Sequence, residues 1–513
     1  MLFLWKNGKN RQKSHGKTAK NVKIFMEKRK FYLQNPWKSG KIRNMLRRKI
    51  LEKLDEFYKE NPNRALLVTG ARQVGKSYII EQYAKEKFKS FIRIDFIKNP
   101  EYKKLLDGAL SADEILLRIS SVFGKEMIPG KTLIFFDEVQ ECREIVTQIK
   151  YLVQDGRYTY ILSGSLLGVI FTDLLSVPVG YMGIIQMFPL DLEEFVWANG
   201  VDDRVVDALK HSFDSKTPVD SFIHERMLEL VRLYLIVGGM PAAVETFINS
   251  HNLYSVLEVQ KDIIELYKKD ISKYDKEEKL YLNEIFDLIP SELNEKNKRF
   301  ILKNLNENAK SKKYNNSFLW LKNAGVALPV YVAEEPKIPL LISKATNKFK
   351  LFLGDVGLLA SQYAAEIQKK ILEKQVDINF GAIYENMAAQ ELASHGFTLY
   401  YYNNKRFGEL DFLVERDGQV IPIEVKSGKD YYRHKAMNNV LDNKEYALEE
   451  GCVFCNGNIE KKGKVTYYPI YMVMFLKKKE LDKNAIYNID FSDLNSFVTE
   501  NKEKYGRINY GKS

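Results

Sequence analysis

Gly70-Ala71-Arg72-Gln73-Val74-Gly75-Lys76-Ser77 decides how this chain is read, because it fits G-x-x-x-x-G-K-[ST] and lies between a strand-like and a helix-like run. Before it, Ala65-Leu66-Leu67-Val68-Thr69 has the short apolar pattern of a buried strand; after it, Tyr78, Ile79, Gln82, Tyr83 and Phe88 recur at helical spacing. In that context the glycines at 70 and 75 let the backbone curl with its N–H groups inward, and the helix start adds partial positive charge. All eight residues are expected to cradle the phosphates of ATP, with Lys76 reaching the outer phosphates and Ser77 ligating Mg2+. An ordinary glycine turn before a helix is the bland alternative, and the strand-loop-helix context speaks against it.

Hydrolysis needs a second strand that brings an acid to the metal and a base to the attacking water. Thr132-Leu133-Ile134-Phe135-Phe136-Asp137-Glu138 supplies one, with five mostly branched or aromatic residues followed by two carboxylates at the strand's C-terminal end. Ligands of open parallel sheets sit at that end, so Asp137 is expected to hold the metal and Glu138 to polarise the nucleophilic water. A third strand over 158–162 ends in Ser163-Gly164-Ser165, where Ser163 or Ser165 is placed either to sense the terminal phosphate or to cap the next helix.

Taken with Asp137-Glu138-Val139-Gln140, Leu162-Ser163-Gly164-Ser165, Pro189-Leu190-Asp191-Leu192-Glu193-Glu194-Phe195 and Tyr234-Leu235-Ile236-Val237-Gly238-Gly239-Met240-Pro241, the chain resembles the prokaryotic AAA-type ATPases. Within them it looks like the group whose C-terminal half is catalogued as a domain of unknown function, from about Met45 to about Lys429. Many relatives carry Gly-Arg, a candidate arginine finger, where this chain has Gly180-Tyr181, so the resemblance implies that Arg143, Arg157 or Arg204 takes that part, or that none does. A neighbouring subunit often supplies such an arginine in this family, which makes a homo-oligomer an expected partner state.

At 513 residues the chain exceeds one core, and 45% apolar content with 12% aromatics excludes a disordered protein. The net charge of +12 is concentrated in residues 1–50, where sixteen Lys or Arg face the single acid Glu27, leaving the remainder near −3. Residues 1–44 read as a basic, solvated tail that offers a polyanion site or precedes the true start, with Met26 and Met45 as alternative initiation points. No run of eighteen uninterrupted apolar residues occurs, so no membrane partner is expected and the protein should be soluble and cytoplasmic. Cys142, Cys452 and Cys455 are too few for a disulfide framework, and Cys452-x-x-Cys455 lacks the second pair a zinc site needs.

The expected fold is α/β: an AAA-type P-loop sheet over 45–200, a helical lid or connector over 201–275, a winged-helix module over 276–350, a restriction-endonuclease-like α/β domain over 351–480 and a tail over 481–513. The winged helix rests on helix patterns over 280–289, 298–308 and 314–323 followed by strands, with Lys310, Lys312, Lys313 and Lys322 on or just before the third helix. Those lysines suit DNA as well as they suit a solvated face. Further on, Glu385 lies on a helix pattern, Asp411 early in a strand, and Glu424 and Lys426 two positions apart on one face of the next strand. The ordered set resembles the restriction-endonuclease-like fold, which implies Glu385, Asp411 and Glu424 as Mg2+ ligands and Asp411, Glu424 and Lys426 as catalytic groups for phosphodiester hydrolysis.

Two functions follow. One is an ATP-hydrolysing, Mg2+-dependent ATPase that moves a winged-helix and nuclease-like module against DNA. The other is a nucleotide-dependent switch whose C-terminal half docks protein partners and cleaves nothing; a nuclease merely regulated by ATP stands behind both.

Overall fold

The computed structural model describes residues 46–108, 111–165, 180–272, 276–295, 298–301, 311–373 and 380–478. The expected tails 1–44 and 481–513, the helix pattern at 302–308 and the side chains of Lys310, Lys312 and Lys313 lie outside the described residues.

Five parallel strands make the first sheet: β1 (Ala65–Thr69), β2 (Ser90–Asp95), β3 (Thr132–Asp137), β4 (Thr159–Gly164) and β5 (Met182–Gln186), in the order β2-β3-β4-β1-β5. Every residue of β1 and β3 is buried, the signature of strands covered on both faces, whereas β5 alternates as an edge strand does. Ile134, Phe136, Tyr160 and Leu162 share one core with Ile145, Ile149 and Leu152 of the Glu144–Asp155 helix. The strand order sets the C-terminal ends of β1, β4 and β3 side by side, so the loop at 70–77, Ser163 to Ser165 and Asp137-Glu138 meet at one sheet edge.

Helices Leu192–Ala198, Asp203–Ser215, Ser221–Val237, Pro241–Ser250, Leu253–Ile271 and Lys276–Asn294 follow. Asp191 opens the first with a reciprocal capping box, its side chain accepting from Glu194 N while Glu194 reaches back to the Asp191 N–H. The turn at Gly238-Gly239 is too tight for a side chain: a Cβ on Gly239 would lie 1.9 Å from Leu190 O.

A second, eight-stranded sheet comprises β6 (Ala327–Ala333), β7 (Lys344–Leu353), β8 (Tyr400–Asn404), β9 (Gly408–Arg416), β10 (Gln419–Val425), β11 (Gly451–Cys455), β12 (Glu460–Lys462) and β13 (Val465–Pro469), in the order β12-β13-β11-β10-β9-β8-β6-β7. Here the structure departs from the expected winged helix. β6 pairs antiparallel with β7 on one side and parallel with β8 on the other, so the hairpin taken for a wing is the edge of the larger sheet. The expected divide at 350/351 falls inside β7, because β6 meets its backbone hydrogen-bonding needs through β8 as well as β7. The Ser311–Asn323 helix packs on this edge through Phe318, whose ring centroid lies 4.7 Å from that of Phe349.

Candidate functional site

The loop after β1 holds the backbone shape its sequence calls for. Gly70, Gln73 and Gly75 take positive φ of 140°, 66° and 92°, and a Cβ at Gly70 would lie 2.1 Å from Met187 O. The Lys76–Lys87 helix starts directly on Gly75, with no side chain capping its first N–H groups. Lys76 Nζ is buried and donates to Gly70 O at 3.0 Å and Ala71 O at 2.9 Å, so its direct partners are two neutral carbonyls. Burial pushes this ammonium down to about 8, against the pull of Glu138 and Asp137. A buried cation resting on neutral groups beside free helix N–H groups fits an arriving phosphate. Ser77, next along, is half-buried.

Asp137 ends β3 fully buried, accepting from Ser163 Oγ and from Glu138 N at 3.1 Å on Oδ1, and pairing with Arg93 Nη2 at 2.6 Å on Oδ2. Glu138 adopts φ 59°, and the Gln140 side-chain amide donates to its Oε2. Ser165 is buried and among the described residues its Oγ has no partner, a hydroxyl left open at the edge where the phosphates would lie. Arg93 is a site residue the sequence reading missed; it also pairs with Glu81 at 2.6 Å and Asp95 at 2.9 Å. Its signal was the alternation in Ile92-Arg93-Ile94-Asp95, which puts two opposite charges on one strand face beside β3. Of the arginines nominated as fingers, Arg157 is tied to Asp155 and Asp113, and Arg204 to Asp202, on the surface; Arg143 precedes the Glu144–Asp155 helix. Tyr181 contributes O to the Ala65 N–H at 2.9 Å and its hydroxyl accepts from Gln154.

The rest of the chain presses on this loop. Tyr267 OH donates to Arg72 O at 3.1 Å, and Asp270 pairs with Arg72 Nε at 2.7 Å, both from the Leu253–Ile271 helix. From the second sheet, the turn at Gly325 comes so close that a Cβ there would lie 2.9 Å from Ala71 N, while a Cβ on Gly354 would lie 2.4 Å from Gly325 O. Asp355, next in sequence, accepts from Gly239 N at 2.6 Å, and burial raises its carboxyl to about 6.

A second set of buried charges joins the two sheets. Arg48, one of the sixteen basic residues in 1–50, is buried, pairing with Glu194 at 3.1 Å and donating to Val74 O and Phe188 O. Lys49 Nζ lies 2.5 Å from Asp191 Oδ2 and 2.6 Å from Glu193 Oε2. Opposite them, the Gly381–Ser394 helix brings Glu391, which accepts from Leu192 N at 2.8 Å and is held well above the carboxylate range by burial. His395 follows, 3.9 Å from Asp191 and 3.8 Å from Glu391, and burial pushes its imidazole down to about 4. An open cavity of about 1090 Å³ beside them is lined by Arg47, Lys49, Phe188, Trp197, His395 and Lys477 among others.

In the second sheet the structure brings Glu385, Asp411, Glu424 and Lys426 together. Antiparallel pairing of β9 with β10 runs to Phe412 opposite Ile423, one step short of Asp411 and Glu424. Asp411 Oδ2 accepts from Val425 N at 2.9 Å, and Lys426 Nζ donates to Glu424 Oε2 at 2.9 Å. Burial, then the neighbouring Asp411, raises Glu424 to about 8; Asp411 itself is held low because Lys350, Lys298 and Lys426 outweigh its burial. Three residues here were not foreseen. Lys298 pairs with Glu385 Oε1, and Lys350 Nζ lies 2.8 Å from Glu409 Oε1 and 4.0 Å from Glu385 and Asp411. Among the described residues no three His, Cys, Asp or Glu side chains are disposed to share one metal ion, and Lys350 Nζ lies 4.0 Å from Glu385 and Asp411, two of the three carboxylates expected to ligate Mg2+. Cys452 and Cys455 are free buried thiols, both pushed up to about 12 by burial.

Residues 62–196 match the family model of an AAA domain, residues 228–369 that of a domain of unknown function (DUF8612), and residues 380–473 that of a second (DUF4143). No curated protein matches the chain. Among solved structures, a Walker-type ATPase of Pyrococcus abyssi is similar at 16% identity and a TM-score of 0.39, over 62% of this chain and 96% of that one. Cdc6p of Pyrobaculum aerophilum aligns at 12% identity and a TM-score of 0.25 over 66% and 97%, and PCH-2 of C. elegans at 14% and 0.20 over 37% and 46%. The chain thus carries an AAA-type domain on a parallel five-stranded sheet, followed by two domains of unknown function. Among the described residues no helix is long and apolar enough to cross a membrane.

Proposed function

We propose that this chain is an Mg2+-dependent ATPase whose cycle shifts the packing of its C-terminal half. The observation that carries the reading is Lys76: a buried ammonium on two loop carbonyls, at the sheet edge that also holds Asp137, Glu138 and the buried Ser165 hydroxyl. The N–H groups of residues 70–77 and Lys76 would hold the phosphates, and Ser77 and Asp137 the metal. Bound Mg·ATP would supply the phosphoanhydride and the divalent charge that tempers its cleavage. The chain's own residues have definite tasks: Lys76 leaves its carbonyls for the anion, Arg93 releases Asp137, and Glu138, steadied by Gln140, orients the attacking water and accepts its proton.

Nucleotide binding reaches the second sheet because Gly325 abuts Ala71 and Asp355 holds Gly239. For that half, the reading without cleavage is favoured over a DNA-cutting one. Its carboxylates Glu385, Asp411 and Glu424 face Lys298, Lys350 and Lys426, and outside residues 1–50 the chain carries a charge near −3, giving a polyanion little to hold. ATP turnover with and without duplex DNA tests this, with Lys76→Ala and Glu138→Gln as controls. Turnover abolished in both variants and indifferent to DNA is expected; stimulation by DNA would favour the cutting version, and variants as active as the parent would end the ATPase reading.

A further inference from the structure

We propose that Arg72, inside the phosphate loop itself, is the arginine that meets the terminal phosphate of bound ATP, and that the Leu253–Ile271 helix holds it in reserve through Asp270. The inference rests on the nucleotide reading above and adds the residue which that reading lacks. Arg157 and Arg204 are tied to acids at the surface, and Arg93 is turned to Asp137, Asp95 and Glu81. Arg72 instead lies between Gly70 and Gly75, in the loop whose N–H groups would hold the phosphates. Of the causes that disfavour the charged form of Lys76, burial comes first and the Arg72 guanidinium second, so the two cations stand within electrostatic reach of each other. Two like charges on one loop are relieved by an anion that both can touch.

The helix grips Arg72 twice. Asp270 Oδ2 lies 2.7 Å from its Nε, and one turn earlier Tyr267 donates its hydroxyl to the Arg72 carbonyl at 3.1 Å. Tyr267 and Asp270 are buried, whereas the Arg72 side chain is 26% exposed, so the guanidinium is the member free to swing. A triphosphate carries more negative charge than one carboxylate and suits the planar fork of a guanidinium, so its arrival draws Arg72 off Asp270. As the oxygen of water bonds to the terminal phosphorus, the bond to the bridging oxygen breaks, its electron pair leaves with ADP, and the water's proton passes to Glu138. The Arg72 N–H groups then bear on the oxygens where charge gathers. The same exchange loosens the helix's hold on the loop, which makes Arg72 both a catalytic residue and the report of an occupied site.

Calorimetric titration of the full chain with a non-hydrolysable ATP analogue and Mg2+, beside steady-state ATP turnover, tests it. Arg72→Ala should keep its affinity for the analogue within about threefold, since the lost contact is offset by an ion pair that no longer has to open, and should lose about 10²-fold or more of turnover. Arg72→Lys keeps the charge without the fork and should turn over about tenfold more slowly than the parent; it carries the test alone should Arg72→Ala not fold. Asp270→Asn should bind the analogue more tightly than the parent, and turnover per chain should hold constant on dilution. Either Arg72 variant as active as the parent, an Asp270→Asn that binds no better, or turnover that falls on dilution as a neighbour's arginine would require, overturns the proposal. Failure of the nucleotide reading looks different, and this inference falls with it: the parent itself would bind no analogue, and Lys76→Ala would match the parent in turnover.

Discussion

Gly325 offers a direct way to ask whether the second sheet communicates with the nucleotide loop. Its φ of +71° lies in the left-handed region, where alanine costs about 1–2 kcal/mol relative to glycine. A Cβ there would also lie 2.9 Å from Ala71 N, against 3.4–4 Å for ordinary van der Waals contact, and the neighbour is loop backbone that cannot rotate away. In Gly325→Ala the two segments must therefore part by about half an ångström. Misplacement by 1 Å at a reacting site costs about 10²-fold, so a half-ångström shift of the loop should weaken nucleotide binding by about tenfold, or roughly 1.4 kcal/mol. Gly463→Ala is the control: its φ is +60° but among the described residues nothing lies within 4 Å, so it carries the backbone strain alone. Calorimetric titration with a non-hydrolysable ATP analogue and Mg2+, beside urea unfolding of all three proteins, separates the effects. Gly463→Ala should lose about 1–2 kcal/mol of stability and Gly325→Ala more, since it adds the close contact, and only Gly325→Ala should lose affinity. If Gly325→Ala bound the analogue as tightly as the parent, the turn would be no conduit and the coupling would have to run elsewhere.

His395 predicts an acid sensitivity. Its imidazole titrates near 4 when folded and near 6.5 when unfolded, so between those values the unfolded chain binds a proton that the folded chain refuses, and stability falls as pH drops through that window. The full loss is about 3 kcal/mol at 1.36 kcal/mol per pH unit, and urea unfolding of His395→Asn between pH 7 and 4.5 should show a shallower decline than the parent; parallel declines would dismiss the role. Arg48→Ala leaves Glu194 buried without its partner and should cost about 3–5 kcal/mol in the same assay, far more than Arg204→Ala, whose ion pair with Asp202 is solvent-exposed.

Local chemistry was open to reading wherever one segment contained its own reason. The loop at 70–77 needs only its glycines and the helix after it, and the apolar run before Asp137 places that carboxylate at a strand end whatever the neighbours are. Strand alternation likewise put Glu424 and Lys426 on one face, and they do bond. Partnership across the chain was not open in this way. Phe349-Lys350-Leu351 shows a lysine that must find a carboxylate inside the protein, yet Glu409 and Asp411 lie on β9, two strands removed from the β6–β7 hairpin's own pairing, and Glu385 on a helix. Periodicity states that a charge is buried and never which strand order will satisfy it. The same gap explains the wing. A hairpin after helices satisfies the local pattern of a winged helix, and only the parallel pairing of β6 with β8, separated by some seventy residues, turns it into an edge of the larger sheet. The charge count over 1–50 does not set Arg48 and Lys49 apart from the basic residues before them, whereas Asp191, Glu193 and Glu194 draw these two inside. A buried charge in an apolar run is therefore the sequence feature that calls for a distant partner, and in this chain Lys350 and Glu391 each mark a contact on which the two sheets depend.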